Sequence, residues 1–431
     1  MSIAATDIAP AAESGIEPAG VASARRRRIA VVVPAFEDTG GVITVTEFIL
    51  RAIRRRSDFD VRLISLATSS TDPCSQLLSR PSTWFRGVAA RTGNAHGEAF
   101  VHVGARLGEI EFQRLARRPQ LSRLVADCDL IQVVAGAPGW ARPLIGLGRP
   151  VVLQVATFTA VERRKRASEE RGLLRLWRRF MTLISDRIDH AVLPSLDAVM
   201  VENPWMLDYV RRQVGDSRVK VRYAPPGVDI SHFRPREHES NRLNPFILAV
   251  GRFADKRKNA HLLLEAYARL QARTPMAPDL RLAGADGPTD DFWGRADELG
   301  VRNRIRFHRH PTNAELAQMY RDATCFVLPS DEEGFGMVIV EAMASGLPVV
   351  ATRCGGPDGI ITDTVDGFLI PRDGVVELTD RLAWILQNAE AARAMGATAR
   401  QTVEARYADA VAGQVYLDTY DELLAPVTNE A

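Results

Sequence analysis

Glu333 and Glu341 are two carboxylates eight residues apart, set in the stretch Glu333-Gly-Phe-Gly-Met-Val-Ile-Val-Glu341. A Gly-x-Gly turn joins the first to a helix start, and the second falls about one turn into that helix. N–H groups at a helix N-terminus have no intrahelical partner, so a loop of this kind is a ready phosphate site. The two carboxylates suit sugar hydroxyls better than phosphate, and both can face one ligand. The phosphate charge is met elsewhere. Lysine occurs only at 165, 220, 256 and 258 in a chain otherwise rich in arginine, and two of the four lie in Asp255-Lys-Arg-Lys-Asn259. A compact ammonium aimed at phosphate is a task that arginine does not duplicate. Arg252 stands at the end of the apolar run 246–250. Cations and N–H groups of this kind together suit a phosphate.

Five ordered elements carry a family resemblance. The Glu333–Glu341 stretch resembles the Glu-x7-Glu signature of the retaining glycosyltransferases of family 4. Val250-Gly-Arg-Phe253 with Arg257-Lys-Asn259 resembles that family's donor-phosphate element. Leu282-Ala-Gly-Ala-Asp-Gly-Pro288, Ala224-Pro-Pro-Gly-Val-Asp229 with Phe233, and Cys354-Gly-Gly-Pro-Asp358 are similar to three further elements, the last with Asp for the usual Glu. The match is strong from about 225 to 367. The resemblance implies a GT-B fold, in which two doubly wound Rossmann-like α/β domains face each other across a cleft. It implies a nucleoside-diphosphate sugar as co-substrate, with no cofactor and no metal. It assigns Arg252 and Lys258 to the donor phosphates, helped by the N–H groups of Gly334, Phe335, Gly336, Met337 and Val338 and of Gly41. Glu341 would bind the donor ribose, and Glu333 would hold the transferred sugar beside its anomeric carbon. Retention can arise through a covalent intermediate or by front-face attack, and the second is favoured here, with Glu333 as a positioning and electrostatic group.

One departure stands out. Pro150-Val-Val-Leu-Gln-Val-Ala156-Thr157 has Ala where the family commonly has a pocket His, which turns attention to Gln154 and Thr157 as acceptor-side groups. Asp58-Phe-Asp60 and Asp127-Cys-Asp129 have metal-transferase spacing but sit where strands begin, the wrong end for a ligand cleft. His308 and His310 follow a strand, where they would stack on a base or form a polar rim.

The elements that must position these groups alternate in the α/β manner. Continuous apolar runs such as Ile29–Val33 read as parallel strands covered on both faces. Strands are expected at 60–66, 129–134, 150–155 and 198–202 in a first domain, 25–240. In a second, 241–410, they are expected at 246–250, 279–283, 304–308, 324–330, 347–352 and 367–370. Residues 411–431 would form a helix crossing back to the first domain. Two domains suit a chain of 431 residues.

Residues 1–24 lack the apolar core of a signal peptide and read as a disordered tail. The chain has no apolar run of about 18 residues, so no spanning helix is expected. A net charge of +2 argues against nucleic acid as a partner. The four cysteines are far apart in sequence and read as buried. Residues 162–190 are strongly basic with a helical apolar face around Trp177 and Phe180, the pattern of a helix lying on an anionic membrane. A plain domain helix has the same pattern. The expectation is a cytoplasmic glycosyltransferase, with a peripheral place at the inner leaflet and a glycan or lipid-linked acceptor. Two rivals are a non-catalytic nucleotide-sugar-binding subunit, motivated by Ala156, and a GT-B nucleotide-sugar isomerase.

Overall fold

A computed structural model describes residues 25–38, 40–163, 173–237, 244–274 and 276–426. The 1–24 tail expectation lies outside these residues. The first sheet is built from β1 Arg27–Pro34, β2 Phe59–Leu66, β3 Ala90–Ala95, β4 Glu98–Val103, β5 Leu130–Ala135, β6 Val151–Val155, β7 Ala198–Val201 and β8 Lys220–Tyr223. Its order is β3-β4-β2-β1-β5-β6-β7-β8. The second sheet contains β9 Phe246–Val250, β10 Asp279–Gly284, β11 Ile305–Arg309, β12 Cys325–Leu328, β13 Val349–Thr352 and β14 Phe368–Ile370, in the order β11-β10-β9-β12-β13-β14. All pairings are parallel except β3 with β4. This is the expected α/β architecture of two doubly wound sheets.

The central strands are apolar on both faces because helices cover both. In β1, Ala30 and Val32 pack with Ile64, Ile131 and Leu153, whereas Ile29, Val31 and Val33 pack with Phe48, Ile49, Tyr416 and Tyr420. The four cysteines are buried and none is in a disulfide. The β3–β4 hairpin was not foreseen. Its turn residues His96 and Gly97 have φ of 53° and 75°, the mirror-image turn that suits the twist of a two-residue hairpin. The strand before it alternates between exposed and half-buried positions, without the apolar run that marks the other strands.

The helix Asp409–Leu424 returns to the first sheet, where it packs on the helix Gly41–Arg54 and ties to it through Arg51 and Asp409 at 2.7 Å. Two chain connections run side by side between the domains. Val228 donates to the Tyr407 carbonyl at 2.8 Å and Asp409 donates to that of Val228 at 3.0 Å. Gly227 is required at this crossing, because a Cβ there would lie 2.7 Å from the Phe48 ring and 2.9 Å from the Asp409 backbone.

Candidate active site

The site is assembled by loops at the carboxyl ends of the second-domain strands. After β9 the chain makes a short turn, Lys256–Lys258, and enters the helix Ala260–Arg273. Asn259 takes a left-handed φ of 45° at the junction, and its side-chain oxygen caps the helix at Leu262. After β12 the chain runs through Ser330–Gly336 into the helix Met337–Ala344. Three contacts lock these two loops together. Asn259 donates to Asp331 at 3.0 Å, the Asp331 N–H donates to the Arg257 carbonyl at 2.7 Å, and Lys258 Nζ meets Glu333 Oε1 at 2.5 Å.

Glu333 is fixed through one carboxylate oxygen and through its backbone. Its Oε1 also accepts from Ser330 Oγ at 2.7 Å. Its backbone N–H donates to the Cys354 carbonyl at 3.3 Å, and its carbonyl accepts from Gly356 at 3.0 Å. Gly356 has to be glycine, since the Phe335 carbonyl occupies the place of a Cβ. Asp358 accepts from the Gly355 N–H at 2.8 Å, so its carboxylate closes its own turn. Lys258 therefore sits in an ion pair with Glu333, the side chains being 18% and 12% exposed. Arg252 is half exposed and reaches Asp255 only at 3.8 Å. It emerges where β9 and β10 end, drawn together because Gly284 lets the Gly251 carbonyl fill the space of its absent Cβ.

Gly336 has a φ of 105° and opens the Met337–Ala344 helix. Among the described residues none accepts a hydrogen bond from the N–H groups of Phe335, Gly336, Met337 or Val338. These are the orphan donors of a helix start, available to an anion. The Phe335 side chain is buried against Tyr407, so this residue can serve a ligand only through its backbone. Glu341 is 8% exposed and accepts from Tyr320 Oη at 2.9 Å. Burial pushes its carboxyl up to about 7, and the Tyr320 hydrogen bond opposes the shift. Hydroxyl donors from a ligand would favour its ionised form further. Gly41, across in the first domain, starts the helix Gly41–Arg54 and is exposed.

On the first-domain side one expectation is corrected. Gln154 does not face the cleft. It is 1% exposed, donates to Glu202 at 3.0 Å and accepts from Tyr416 Oη at 2.6 Å. The cause is strand alternation. Gln154 shares a face of β6 with Val152, and the returning helix covers that face. Tyr420, one turn after Tyr416, makes the matching bond to Gln132 of β5 at 2.7 Å. Thr157 is half-buried beyond the strand end, its N–H bonded to Gly136 at 2.9 Å. Ala156 is half-buried and faces the Gly334 loop across the cleft, since a Cβ on Gly334 would lie 3.4 Å from its carbonyl and 3.8 Å from its methyl. A residue that sequence reasoning missed also reaches this loop: Asn203 donates to the Gly334 carbonyl at 2.6 Å.

The Asp-x-Asp pairs lie at the opposite strand ends, tied to arginines. Arg56 holds Asp58, Arg28 holds Asp60, and Arg28 and Arg62 share Asp127. His308, half-buried near Arg281 and Arg306, is held below its ordinary value, first by burial and then by those charges.

Two facing doubly wound sheets with these loops between them define a GT-B protein. The likeness to solved GT-B structures is close in shape. Sucrose-phosphate synthase from Thermosynechococcus elongatus matches with a TM-score of 0.66 and 22% identity, over 92% of this chain and 99% of that one. Anabaena HepE in complex with UDP matches with 0.65 and 16%, over 92% and 100%. Residues 232–402, most of the second domain, match the model of the family described as glycosyl transferases group 1. D-inositol 3-phosphate glycosyltransferase of Saccharomonospora viridis is 29% identical over 251 residues, 55% of this chain and 58% of that protein. The protein of the same name from Kribbella flavida is 35% identical over 200 residues, 43% and 47%. The chain spans about half the length of the curated relatives it matches. No helix among the described residues is long and apolar enough to cross a membrane.

Proposed function

We propose that the protein is a retaining, metal-independent glycosyltransferase. It moves a hexosyl unit from a nucleoside-diphosphate sugar to an acceptor hydroxyl, in making a glycan, polysaccharide or glycolipid. The observation that carries this reading is the Lys258–Glu333 pair, fixed by two interlocked loops at the open N-terminus of the Met337–Ala344 helix. As the bond between anomeric carbon and phosphate oxygen breaks, Lys258, Arg252 and the loop N–H groups take up the charge left on the diphosphate. The acceptor oxygen forms its bond to the same carbon from the same face, and its proton passes to the departing phosphate. Glu333 holds the sugar and faces the positive charge that grows at the anomeric centre. Glu341 lies one turn deeper, where it accepts from ribose hydroxyls. HepE has been seen with UDP and with UDP-glucose, which supports this class of donor.

A thermal-shift panel of UDP, GDP and ADP compounds selects the nucleotide, because a ligand that binds only the folded state raises apparent stability. Proton NMR of the product should then show the donor's anomeric configuration, and EDTA should leave the rate unchanged. An inverted product or strict dependence on a divalent ion overturns the mechanism. Ala156, a methyl group where the resembling family commonly has a pocket His, favours a second reading, a non-catalytic nucleotide-sugar-binding subunit. Absence of both transfer and donor hydrolysis, with nucleotide binding intact, would establish it.

The proposed place of work is the cytoplasmic face of a membrane. In the helix Leu173–Val192, Met181 is buried whereas Leu176, Trp177, Phe180 and Leu183 form one exposed face, Trp177 at 55% and Leu176 at 63%. That face continues into a groove lined by Ile184, Arg187 and Ile188 with Arg117 and Arg142. An apolar stripe running into arginines fits an anionic bilayer. The basic residues 164–172 lie outside the described residues. The full chain should co-sediment with phosphatidylglycerol vesicles and release at high salt, as screening predicts. Replacing Trp177 and Phe180 by Ser should weaken sedimentation without lowering the melting temperature, since both are exposed. Equal sedimentation of parent and variant rules this face out.

A further inference from the structure

Asn203 follows β7 and precedes the helix Pro204–Val214, and it is 1% exposed. Its amide serves both domains at once. Oδ1 accepts from the Met206 N–H at 2.9 Å, capping its own helix, while Nδ2 donates to the Gly334 carbonyl at 2.6 Å. The two residues after it meet the other loop that pins Glu333. The Pro204 ring lies 2.8 Å from where a Cβ on Gly359 would stand, and Trp205 Nε1 lies 3.5 Å from the corresponding point on Gly355. Behind Asn203, Glu202 accepts from Gln154, which accepts from Tyr416, so the residue is set by a buried chain reaching the C-terminal helix. A trans peptide directs its C=O and N–H oppositely. Fixing the Gly334 carbonyl toward Asn203 therefore fixes the Phe335 N–H away from it.

We infer that Asn203 is a positioning residue: its cross-domain hydrogen bond to Gly334 couples closure of the two domains to the conformation of the loop that carries Glu333. The bond exists only when the domains are together. In the closed form it orders the Gly334–Phe335 peptide, and opening releases it. A helix cap alone would need only the oxygen of this amide. The nitrogen is free for the second domain, and it is used there. The catalytic part of this inference rests on the proposed role of Glu333, whereas the closure part does not.

The two halves of the amide can be separated. Asn203→Asp keeps an acceptor for Met206 and puts a carboxylate against the Gly334 carbonyl. Asn203→Ser also caps well, and its side chain is too short to reach Gly334. Asn203→Ser should melt close to the parent, whereas Asn203→Asp buries an unpaired carboxylate and should melt lower. Hydrogen exchange at the Glu333 and Gly356 amides, whose bonds hold the loop, should speed about 3- to 10-fold, the loss expected for one hydrogen bond. X-ray scattering of the unliganded full chain should show a larger radius of gyration. With the nucleotide sugar that the parent turns over, kcat should fall by a similar factor while the affinity for its free nucleoside diphosphate falls less, because Lys258 and Arg252, the cations proposed for that ligand, lie on the second domain and do not depend on Asn203. Parent-like exchange and scattering in both variants overturn the inference, and a lowered melting point without those changes leaves Asn203 as a cap alone. Glu333→Gln serves as the control. If it transfers like the parent, the role given to Glu333 fails, while exchange and scattering still decide the clasp.

Discussion

Glu333→Gln should lower transfer by about 100- to 1000-fold, the range seen when one preorganised electrostatic group is removed from a transition state. The substitution is nearly isosteric. The amide oxygen can still accept from Lys258 and Ser330, which hold the carboxylate at 2.5 and 2.7 Å, so the loop should keep its place. Nucleoside-diphosphate affinity should stay within about twofold, since the lost charge acts where positive charge develops on the sugar. Glu341→Ala should behave oppositely, weakening nucleotide binding with a smaller effect on kcat. Steady-state kinetics with calorimetric titration of the nucleoside diphosphate separates the two patterns. A Gln variant that transfers at the parent rate would remove Glu333 from the mechanism. Glu333→Ala with added azide tests the covalent alternative: a glycosyl azide of inverted configuration would show that this carboxylate attacks the anomeric carbon.

The fold was readable where burial leaves a continuous mark. β1, β5, β6 and β9 are apolar on both faces because helices cover both, and each was placed within a residue or two from its sequence. β3 is an edge strand with one half-buried face and no such run, so nothing in Ala90–Ala95 marked it. The second-domain loops were legible for a different reason. A glycine that must admit a carbonyl, as Gly356 and Gly284 do, leaves its type in the sequence. The burial of Gln154 was not legible. Alternation puts Gln154 and Val152 on one face of β6, but which element covers that face is decided by Tyr416, distant in the chain. Asn203 could have been read as a helix cap before Pro204. Its second bond depends on how the domains meet, which no local pattern records.

Lys258→Ala carries the largest expected cost among the cations. The alanine leaves Glu333, only 12% exposed, with Ser330 as its remaining side-chain partner. Removing one member of a buried pair typically costs about 3–5 kcal/mol, because the other charge stays desolvated and unpaired. The pair here is slightly open to solvent, so a value near the lower end is expected. That cost falls on stability and should lower the melting temperature; loss of a charge-assisted contact to phosphate is separate, at roughly 1.5–3 kcal/mol. Turnover and nucleoside-diphosphate affinity should therefore each fall by about 10- to 100-fold. Arg252→Ala should do less, since that side chain is half exposed and solvent screens it. Lys258→Arg is not expected to rescue, because a planar fork cannot place a point charge beside an oxygen already bonded by Ser330. A double variant separates stability from chemistry. Lys258→Met with Glu333→Gln removes both charges from the pocket, so its melting temperature should recover relative to Lys258→Met alone while transfer stays lost, the non-additivity that a coupled pair produces. Additive melting shifts would mean that the two side chains do not support each other in solution. Parent-like nucleotide affinity in Lys258→Ala would mean that the ammonium serves Glu333 alone, and the phosphate role would then fall to Arg252 and the N–H groups of the Gly334–Val338 loop.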